Sequence, residues 1–130
     1  VYTLLVLSDG KTLMAGTGIR GELYRSTDKG VTWIRLEHTP KGVKSAQENK
    51  FEMKDMVSRI YNLLETADGM ILAGTGNKTG DVFQLDQEDE WALTIKDHQS
   101  IVVWGLLQTP DGTLWAGTGS YGGDILKFKP

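Results

Sequence analysis

One phrase occurs three times in this chain, and this repeat constrains the fold more than any other feature. The copies run from Val1 to Gly18, from Ile60 to Gly76 and from Val103 to Gly119, and each ends in Ala-Gly-Thr-Gly. Recurrence at a spacing of roughly 40 to 50 residues is typical of architectures in which one supersecondary unit is stacked several times. The sequence therefore predicts a repeat protein whose units are rich in β structure.

Composition excludes several classes of protein. The chain has 130 residues and a mass of 14.4 kDa, which corresponds to one domain or part of one at roughly 100 to 200 residues per domain. A net charge of -3 gives no electrostatic attraction to nucleic acid, and no apolar run is long enough for membrane insertion. The absence of cysteine excludes disulfides and thiolate metal sites.

Each repeat predicts a four-stranded unit. An Asp-Gly pair in each copy predicts a hairpin, because glycine tolerates a positive φ and aspartate caps the turn backbone. A third strand begins at Glu22, Asp81 and Asp124, and a fourth opens at Thr32 and Glu90 in the first two copies. Four antiparallel strands form one blade of a β-propeller. The predicted fold is all-β, with about three four-stranded antiparallel blades, the last of them incomplete.

The repeats also set the expected boundaries. Residues 1–130 form a single propeller domain or a fragment of one, divided into blade 1 (1–36), a crossover insertion (37–57), blade 2 (58–96) and a partial blade 3 (101–130). We expect the insertion to be a loop with one helical turn at most. Propellers close with roughly four to eight blades, so two explanations stay open. We favour the first, in which further blades in the same chain complete a six- or seven-bladed ring, and the alternative is that copies associate as a homo-oligomer.

One turn carries a motif that goes beyond the repeat. The segment between the third and fourth strands of blade 1 has the pattern S-x-D-x-G-x-T-W, formed by Ser26, Asp28, Gly30, Thr32 and Trp33. The chain thus resembles the Asp-box (BNR-repeat) β-propeller superfamily, which includes sialidases, xyloglucanases, sortilin ectodomains and photosystem II assembly factors. The third repeat is also similar to the repeat of two-component-regulator propellers. The resemblance alone favours an exported, periplasmic or cell-surface location.

Both small motifs are interpreted as folding devices. In the Asp-box turn, Asp28 is expected to accept backbone N–H groups, Gly30 to adopt a left-handed conformation and Trp33 to cover the hairpin. Each Ala-Gly-Thr-Gly is followed by another strand, whereas a phosphate-binding glycine loop leads into a helix. We therefore expect its small residues to let adjacent blades pack closely.

A candidate ligand-binding face follows from the order of the strands. The loops between second and third strands, together with the crossovers between blades, lie on one face, which we call the loop face. Loops on a rigid scaffold are where binding usually occurs. The candidate residues are Arg20, Lys41, Lys44, Asn77, Lys78 and Tyr121 on this face, and Trp104 on the inner strand lining the channel. The alternative, that these are surface charges without a ligand role, stays open.

The residues favour a binding module over an enzyme. The resemblance to sialidases implies three arginines around one carboxylate, but Arg25 and Arg35 are expected in outer strands, away from the channel. We see no nucleophile–base pair, no metal-ligand spacing and no cofactor motif. The predicted function is non-catalytic binding of a protein, peptide or carbohydrate through the loop face. The alternative is a glycan-processing propeller enzyme, sialidase or xyloglucanase-like, of which this chain is a fragment.

Overall fold

The computed structural model describes residues 1–18, 21–36, 59–76, 80–85, 91–97, 102–119 and 123–128. The strands in these residues are β1 (Thr3–Val6), β2 (Leu13–Gly16), β3 (Leu23–Ser26), β4 (Ile34–Leu36), β5 (Arg59–Glu65), β6 (Ile71–Gly76), β7 (Gly80–Leu85), β8 (Trp91–Asp97), β9 (Val102–Gln108), β10 (Leu114–Gly119) and β11 (Ile125–Phe128). Within the described residues, no helix is long and apolar enough to cross a membrane.

Consecutive strands pair side by side and antiparallel. Strands β1 to β4 form the sheet of blade 1, β5 to β8 that of blade 2, and β9 to β11 that of blade 3. A backbone bridge between Gly76 and Val102 links the last two sheets. The predicted all-β architecture of antiparallel sheets is confirmed. The predicted crossover insertion (37–57) lies outside the described residues.

The fourth strand of blade 1 differs from the prediction. It begins at Ile34 and not at Thr32, because Thr32 and Trp33 still belong to the preceding turn. There the Thr32 N–H donates to Asp28 Oδ1 at 2.8 Å, and Trp33 Nε1 donates to the Gly30 carbonyl at 3.2 Å. In blade 2 the fourth strand begins at Trp91, one residue after the predicted start.

The three Asp-Gly pairs form the turns between first and second strands. Their glycines have φ values of 74°, 88° and 86°, at Gly10, Gly69 and Gly112 respectively. In blades 2 and 3 the loop contains three residues and ends in the left-handed glycine, as is usual for a three-residue hairpin loop. In blade 1 Lys11 lengthens the loop by one residue, and Asp9 Oδ1 accepts the Lys11 and Thr12 N–H groups at 2.9 and 2.8 Å.

Two apolar clusters join the blades. Between blades 1 and 2 lie the buried residues Met14, Leu23, Ile60, Ile71, Ala73, Phe83 and Leu85. Between blades 2 and 3 lie Leu72, Val82, Val103, Leu114 and Ala116. Blade 2 contributes to both, because successive side chains of a strand point to opposite faces of its sheet. The clusters are therefore separate cores on the two faces of one sheet.

The first glycine of Ala-Gly-Thr-Gly allows the blades to approach. A Cβ added at Gly16 would lie 2.6 Å from Ile60 Cγ2, and one added at Gly74 would lie 2.8 Å from Val103 Cγ1. Real Cβ atoms do not come so close, so only glycine fits against the inner strand of the next blade. The expectation that small residues serve blade packing is confirmed at these two positions.

The threonine of the same motif fixes the start of the third strand. Its hydroxyl donates to the carbonyl of the acidic residue at that point in every blade. The pairs are Thr17 with Glu22 at 2.9 Å, Thr75 with Asp81 at 3.0 Å, and Thr118 with Asp124 at 3.4 Å. The motif thus holds both the joint between blades and the base of each loop on the loop face.

Candidate ligand-binding site

Three aromatic rings line up across the inner strands of the three blades. Tyr2 and Tyr61 have ring centroids 5.3 Å apart with an interplanar angle of 58°, and Tyr61 and Trp104 are 5.0 Å apart at 53°. We call these three residues the aromatic row. Each is the second residue of its repeat, after Val1, Ile60 and Val103. The repeat therefore places one ring per blade at the same height.

A local irregularity of the inner strands presents these rings. In blade 2 the strand register shifts between Ile60 and Asn62, so Tyr61 has no partner residue on β6. In blade 3 Val103 pairs with Thr118 and Gly105 with Gly117, which leaves Trp104 without a partner residue on β10. An extra residue of this kind is a β-bulge, which bends the strand and re-aims a side chain, often beside a binding site.

Glycine backbone supports the rings from one side. A Cβ added at Gly18 would overlap Tyr2 Cε2, and one added at Gly119 would lie 2.8 Å from Trp104 Nε1. These are the second glycines of Ala-Gly-Thr-Gly in blades 1 and 3. In blades 1 and 3 the aromatic ring of the first strand therefore packs directly on the glycine backbone at the end of the second strand. The motif positions the aromatic row as well as the blade joint.

A cation accompanies the aromatic row. Arg59 opens β5, and its Nη1 donates to Tyr61 Oη at 3.3 Å while its Cζ lies 5.8 Å from the Tyr2 ring centroid. The hydrogen bond to Tyr61 raises the pKa of Arg59 above its ordinary value, so the guanidinium is charged. Arg59 Nε is buried without a hydrogen-bond partner. Among the described residues, no carboxylate pairs with this guanidinium.

The aromatic row is accessible. Tyr2 and Trp104 are 51% and 56% exposed, and Tyr61 and Arg59 are half-buried. A contiguous exposed group of aromatic side chains indicates a contact surface. The arrangement offers apolar ring faces for stacking and a guanidinium for an anionic group.

The aromatic row lies at the loop-face end of the inner strands. Arg59 pairs with Gly76, and Val102 pairs with Gly119, at the points where the second strands end. The chain continues from there into residues 19–20, 77–79 and 120–122. The predicted ligand-binding face and the aromatic row therefore share one end of the inner strands.

The structure describes one of the seven predicted ligand-binding residues. The six that lie outside the described residues are Arg20, Lys41, Lys44, Asn77, Lys78 and Tyr121. Trp104 is described, and it belongs to the aromatic row. Sequence reasoning missed Tyr2, Tyr61 and Arg59. The signal for the two tyrosines was present in the repeat, since both occupy the position of Trp104.

The predicted Asp-box turn is held by its own side chains. Ser26 Oγ donates to Asp28 Oδ1 and accepts the Gly30 N–H, both at 2.8 Å, and Thr32 Oγ1 donates to Asp28 Oδ2 at 2.5 Å. The Thr32 hydroxyl, followed by the Thr32 N–H and Ser26, lowers the pKa of Asp28 to about 2. Gly30 has a φ of 91°, and Trp33 is 40% exposed. The side chains of Ser26, Asp28, Thr32 and Trp33 therefore all make hydrogen bonds within the turn.

Other candidate sites are weaker. Within the described part of the chain, no group of three or more His, Cys, Asp or Glu side chains could hold a metal ion. A cavity of about 590 Å³ opens at the turn of blade 3, lined by Asp111, Gly112, Thr113, Lys127 and Phe128. It lies at the opposite end of the strands from the aromatic row. The Asp111 carboxylate there already accepts the Thr109 hydroxyl at 2.6 Å.

Comparison with known proteins defines the fold class. Residues 98–120 match the model of the two-component-regulator propeller repeat. Among curated proteins, no sequence matches the chain. Two crystal structures of virginiamycin B lyase from Staphylococcus aureus are similar in fold, each with a TM-score of 0.63 over 99% of this chain. Their sequence identities are 12% for the selenomethionine-substituted enzyme and 14% for a catalytically inactive form with quinupristin.

The chain therefore has a β-propeller fold. It spans about two fifths of the length of these two structures, since the match covers 41% of each. Identity at this level supports the fold and not a shared activity. The specific resemblance to the Asp-box superfamily has no counterpart among these matches.

Proposed function

We propose that this propeller is a non-catalytic binding module that takes an acidic carbohydrate on the aromatic row. The observation that carries the proposal is the exposed series of Tyr2, Tyr61 and Trp104, one ring per blade, beside the charged Arg59. Rings repeated along a surface suit a ligand that is itself a chain of similar units. The same end of the strands carries the loop face predicted to bind.

Charge favours an acidic ligand over a neutral one. The Arg59 guanidinium has no carboxylate partner among the described residues, and its Nε–H is buried and unused. A buried donor left without a partner costs free energy. The buried Nε–H is closed to a ligand, but a carboxylate on the ligand would supply the counterion that this half-buried guanidinium lacks among the described residues, and the contact would be charge-assisted. An acidic peptide could make the same contact, so the experiment includes one.

Calorimetric titration with a galacturonic acid oligosaccharide tests the proposal. We expect binding by the acidic oligosaccharide and weaker binding by its methyl ester. Trp104→Ala should weaken binding about tenfold or more, which is about 1.4 kcal/mol, because a stacking ring is removed. Arg59→Gln should erase the preference for the free acid. Trp33→Phe is the matched control, since this ring lies in the turn between third and fourth strands.

Three outcomes separate the alternatives. Unchanged affinity in Trp104→Ala, with an unchanged melting temperature, would remove the aromatic row from the site. Binding of a glutamate-rich peptide in place of the oligosaccharide would overturn the carbohydrate assignment and keep the binding role. Cleavage of the oligosaccharide, or of sialyllactose, would overturn the proposed binding module and favour the glycan-processing enzyme.

A further inference from the structure

A side chain of blade 2 holds the peptide group that leads into Trp104. Asn62 Nδ2 donates to the Val103 carbonyl at 2.7 Å. This carbonyl belongs to the peptide unit between Val103 and Trp104, which is planar and rotates as one body. A hydrogen bond to the carbonyl therefore restrains the whole unit, and with it the direction in which the Trp104 side chain leaves the strand.

The hydrogen bond supports the bulge of β9 from outside its own sheet. Trp104 is the extra residue of this bulge and has no partner residue on β10. A bulge disrupts the ladder of backbone hydrogen bonds locally. Val103 is fully buried, and a buried carbonyl requires a donor. Because Asn62 supplies a donor from the neighbouring blade, the bulge at Trp104 is stabilised by blade 2.

The same amide couples the two bulges of the aromatic row. Asn62 directly follows Tyr61, the residue of β5 that has no partner residue on β6. Its side chain reaches the peptide group that precedes Trp104, the corresponding residue of the next blade. The rings of Tyr61 and Trp104 are 5.0 Å apart with an interplanar angle of 53°. One hydrogen bond thus links the two strands immediately beside the rings that they carry.

The other pair of rings is linked by a different side chain. Arg59 Nη1 donates to Tyr61 Oη at 3.3 Å, and Arg59 Cζ lies 5.8 Å from the Tyr2 ring centroid. Arg59 therefore contacts the rings of blades 1 and 2 themselves, whereas Asn62 contacts the backbone beside the rings of blades 2 and 3. Asn62 thus affects the geometry of the aromatic row and adds no charge to it.

The surroundings of Asn62 show that its amide is specific to this joint. A Cβ added at Gly74 would overlap Asn62 Oδ1, so the glycine makes room for the side chain. Asn62 Oδ1 is buried without a hydrogen-bond partner, and this cost offsets the hydrogen bond that Nδ2 makes. The other two copies of the repeat have Thr3 and Gly105 at this position. The amide therefore adds little net stability and is no part of the repeat.

We propose that Asn62 is a positioning residue of the ligand-binding site. It sets the distance and the tilt between the Tyr61 and Trp104 rings, and it acts on the ligand only through these rings. A site with fixed rings binds more tightly than one whose rings must first be ordered. The role of Asn62 in binding rests on the proposed function, whereas its effect on the ring pair needs no ligand.

Fluorine NMR of the chain labelled with fluorinated tryptophan tests the effect on the ring, and Trp104→Phe assigns the resonance. Asn62→Leu is similar in size but has no donor, and we expect it to shift and broaden the Trp104 resonance. Asn62→Ala, which cannot overpack the joint, should do the same, and circular dichroism shows that each variant is folded.

Gln108→Leu is the matched control for the structural role of an amide in this joint. Gln108 Oε1 accepts the Ala67 N–H at 2.7 Å, so it also bonds backbone across blades 2 and 3, but at the turn end. We expect this variant to leave the Trp104 resonance in place. An unshifted resonance in both Asn62 variants, or an equal shift in Gln108→Leu, would overturn the proposed positioning.

Calorimetric titration with the galacturonic acid oligosaccharide then tests the role in binding. Asn62→Leu should weaken binding about fivefold, less than removal of the Trp104 ring, and Gln108→Leu should leave it unchanged. Equal affinity of the unaltered chain and Asn62→Leu, with a shifted Trp104 resonance, would overturn the role in binding. Absence of binding by the unaltered chain would contradict the proposed function instead, and the fluorine spectra would still support or overturn the positioning of Trp104.

Discussion

Single aspartates organise the turns at one end of the strands, and neighbouring threonines hold them. The Thr12 hydroxyl is the main cause that lowers the pKa of Asp9 to about 2, and the Thr32 hydroxyl does the same for Asp28. The pKa values of Asp68 and Asp111 are lowered by the hydroxyls of Thr66 and Thr109. These residues therefore favour the folded chain only while their carboxyls are ionised.

The stability of the protein should fall in acid, with Asp28 carrying part of the effect. Its pKa drops from an ordinary 3.8 to about 2 in the folded chain. The contribution is then complete above about pH 4 and lost as the pH falls through about 2. Thermal melting between about pH 2 and pH 6 measures it, and Asp28→Asn should flatten the profile. Thr32→Val keeps the Asp28 carboxyl and removes its main hydrogen-bond donor. The pKa of Asp28 should then be lowered less, and its contribution to stability should be lost over a narrower range of pH. A profile unchanged in both variants would contradict the assignment.

At the scale of elements, the repeat made most strands predictable. Each Asp-Gly pair and each Ala-Gly-Thr-Gly marks a strand end through local backbone chemistry, so the order and antiparallel pairing follow from the sequence. The predicted start of β4 was wrong because Trp33 donates a hydrogen bond to the Gly30 carbonyl inside the turn, and the strand begins only at Ile34. The residue at which the strand begins therefore depends on side-chain hydrogen bonds, which strand propensity does not take into account.

The candidate site was less predictable than the fold. Trp104 was expected from its place on an inner strand, but the aromatic row needs the bulges at Tyr61 and Trp104. The ring contacts span different repeats, so they are visible only once the blades are packed. The cation at Arg59 has no counterpart in the repeat and no motif to reveal it.

The contact between Glu65 of blade 2 and Ser8 in the turn of blade 1 gives a prediction at this scale. The Glu65 carboxylate accepts two hydrogen bonds from Ser8, one from the backbone N–H at 2.7 Å and one from the hydroxyl at 2.8 Å. Glu65→Ala should lower the free energy of unfolding by about 1 kcal/mol, as expected for a lost hydrogen bond at a partly exposed site. Glu65→Gln should lose less, because Gln108 makes the same contact in the next joint. Urea unfolding measures the free energy of unfolding of both variants, and equal losses would show that the hydrogen bonds to Ser8 contribute nothing specific.

At the scale of the whole molecule, stability is distributed between neighbouring blades. The two apolar clusters share the sheet of blade 2 but lie on its opposite faces. Proteins of stacked repeats behave as a sum of unit stabilities and nearest-neighbour interfaces. A blade with only one neighbour lacks one of these interfaces and its contribution to the free energy of unfolding. This architecture therefore predicts that substitutions in different clusters change the free energy of unfolding additively.

Double-mutant cycles around Ile60 should separate coupling within a joint from independence between joints. Ile60→Ala should cost about 2–5 kcal/mol, because a fully buried side chain is truncated. Combined with Gly16→Ala it should cost less than the sum, since the added Cβ would otherwise lie 2.6 Å from Ile60 Cγ2. Combined with Val103→Ala, in the other cluster, it should be additive within about 0.5 kcal/mol. Urea unfolding at one fixed protein concentration, with trimethylamine N-oxide to keep the double variants folded, measures both cycles. Strong coupling between Ile60 and Val103 would show that blade 2 transmits strain between its faces, and the nearest-neighbour description would then fail.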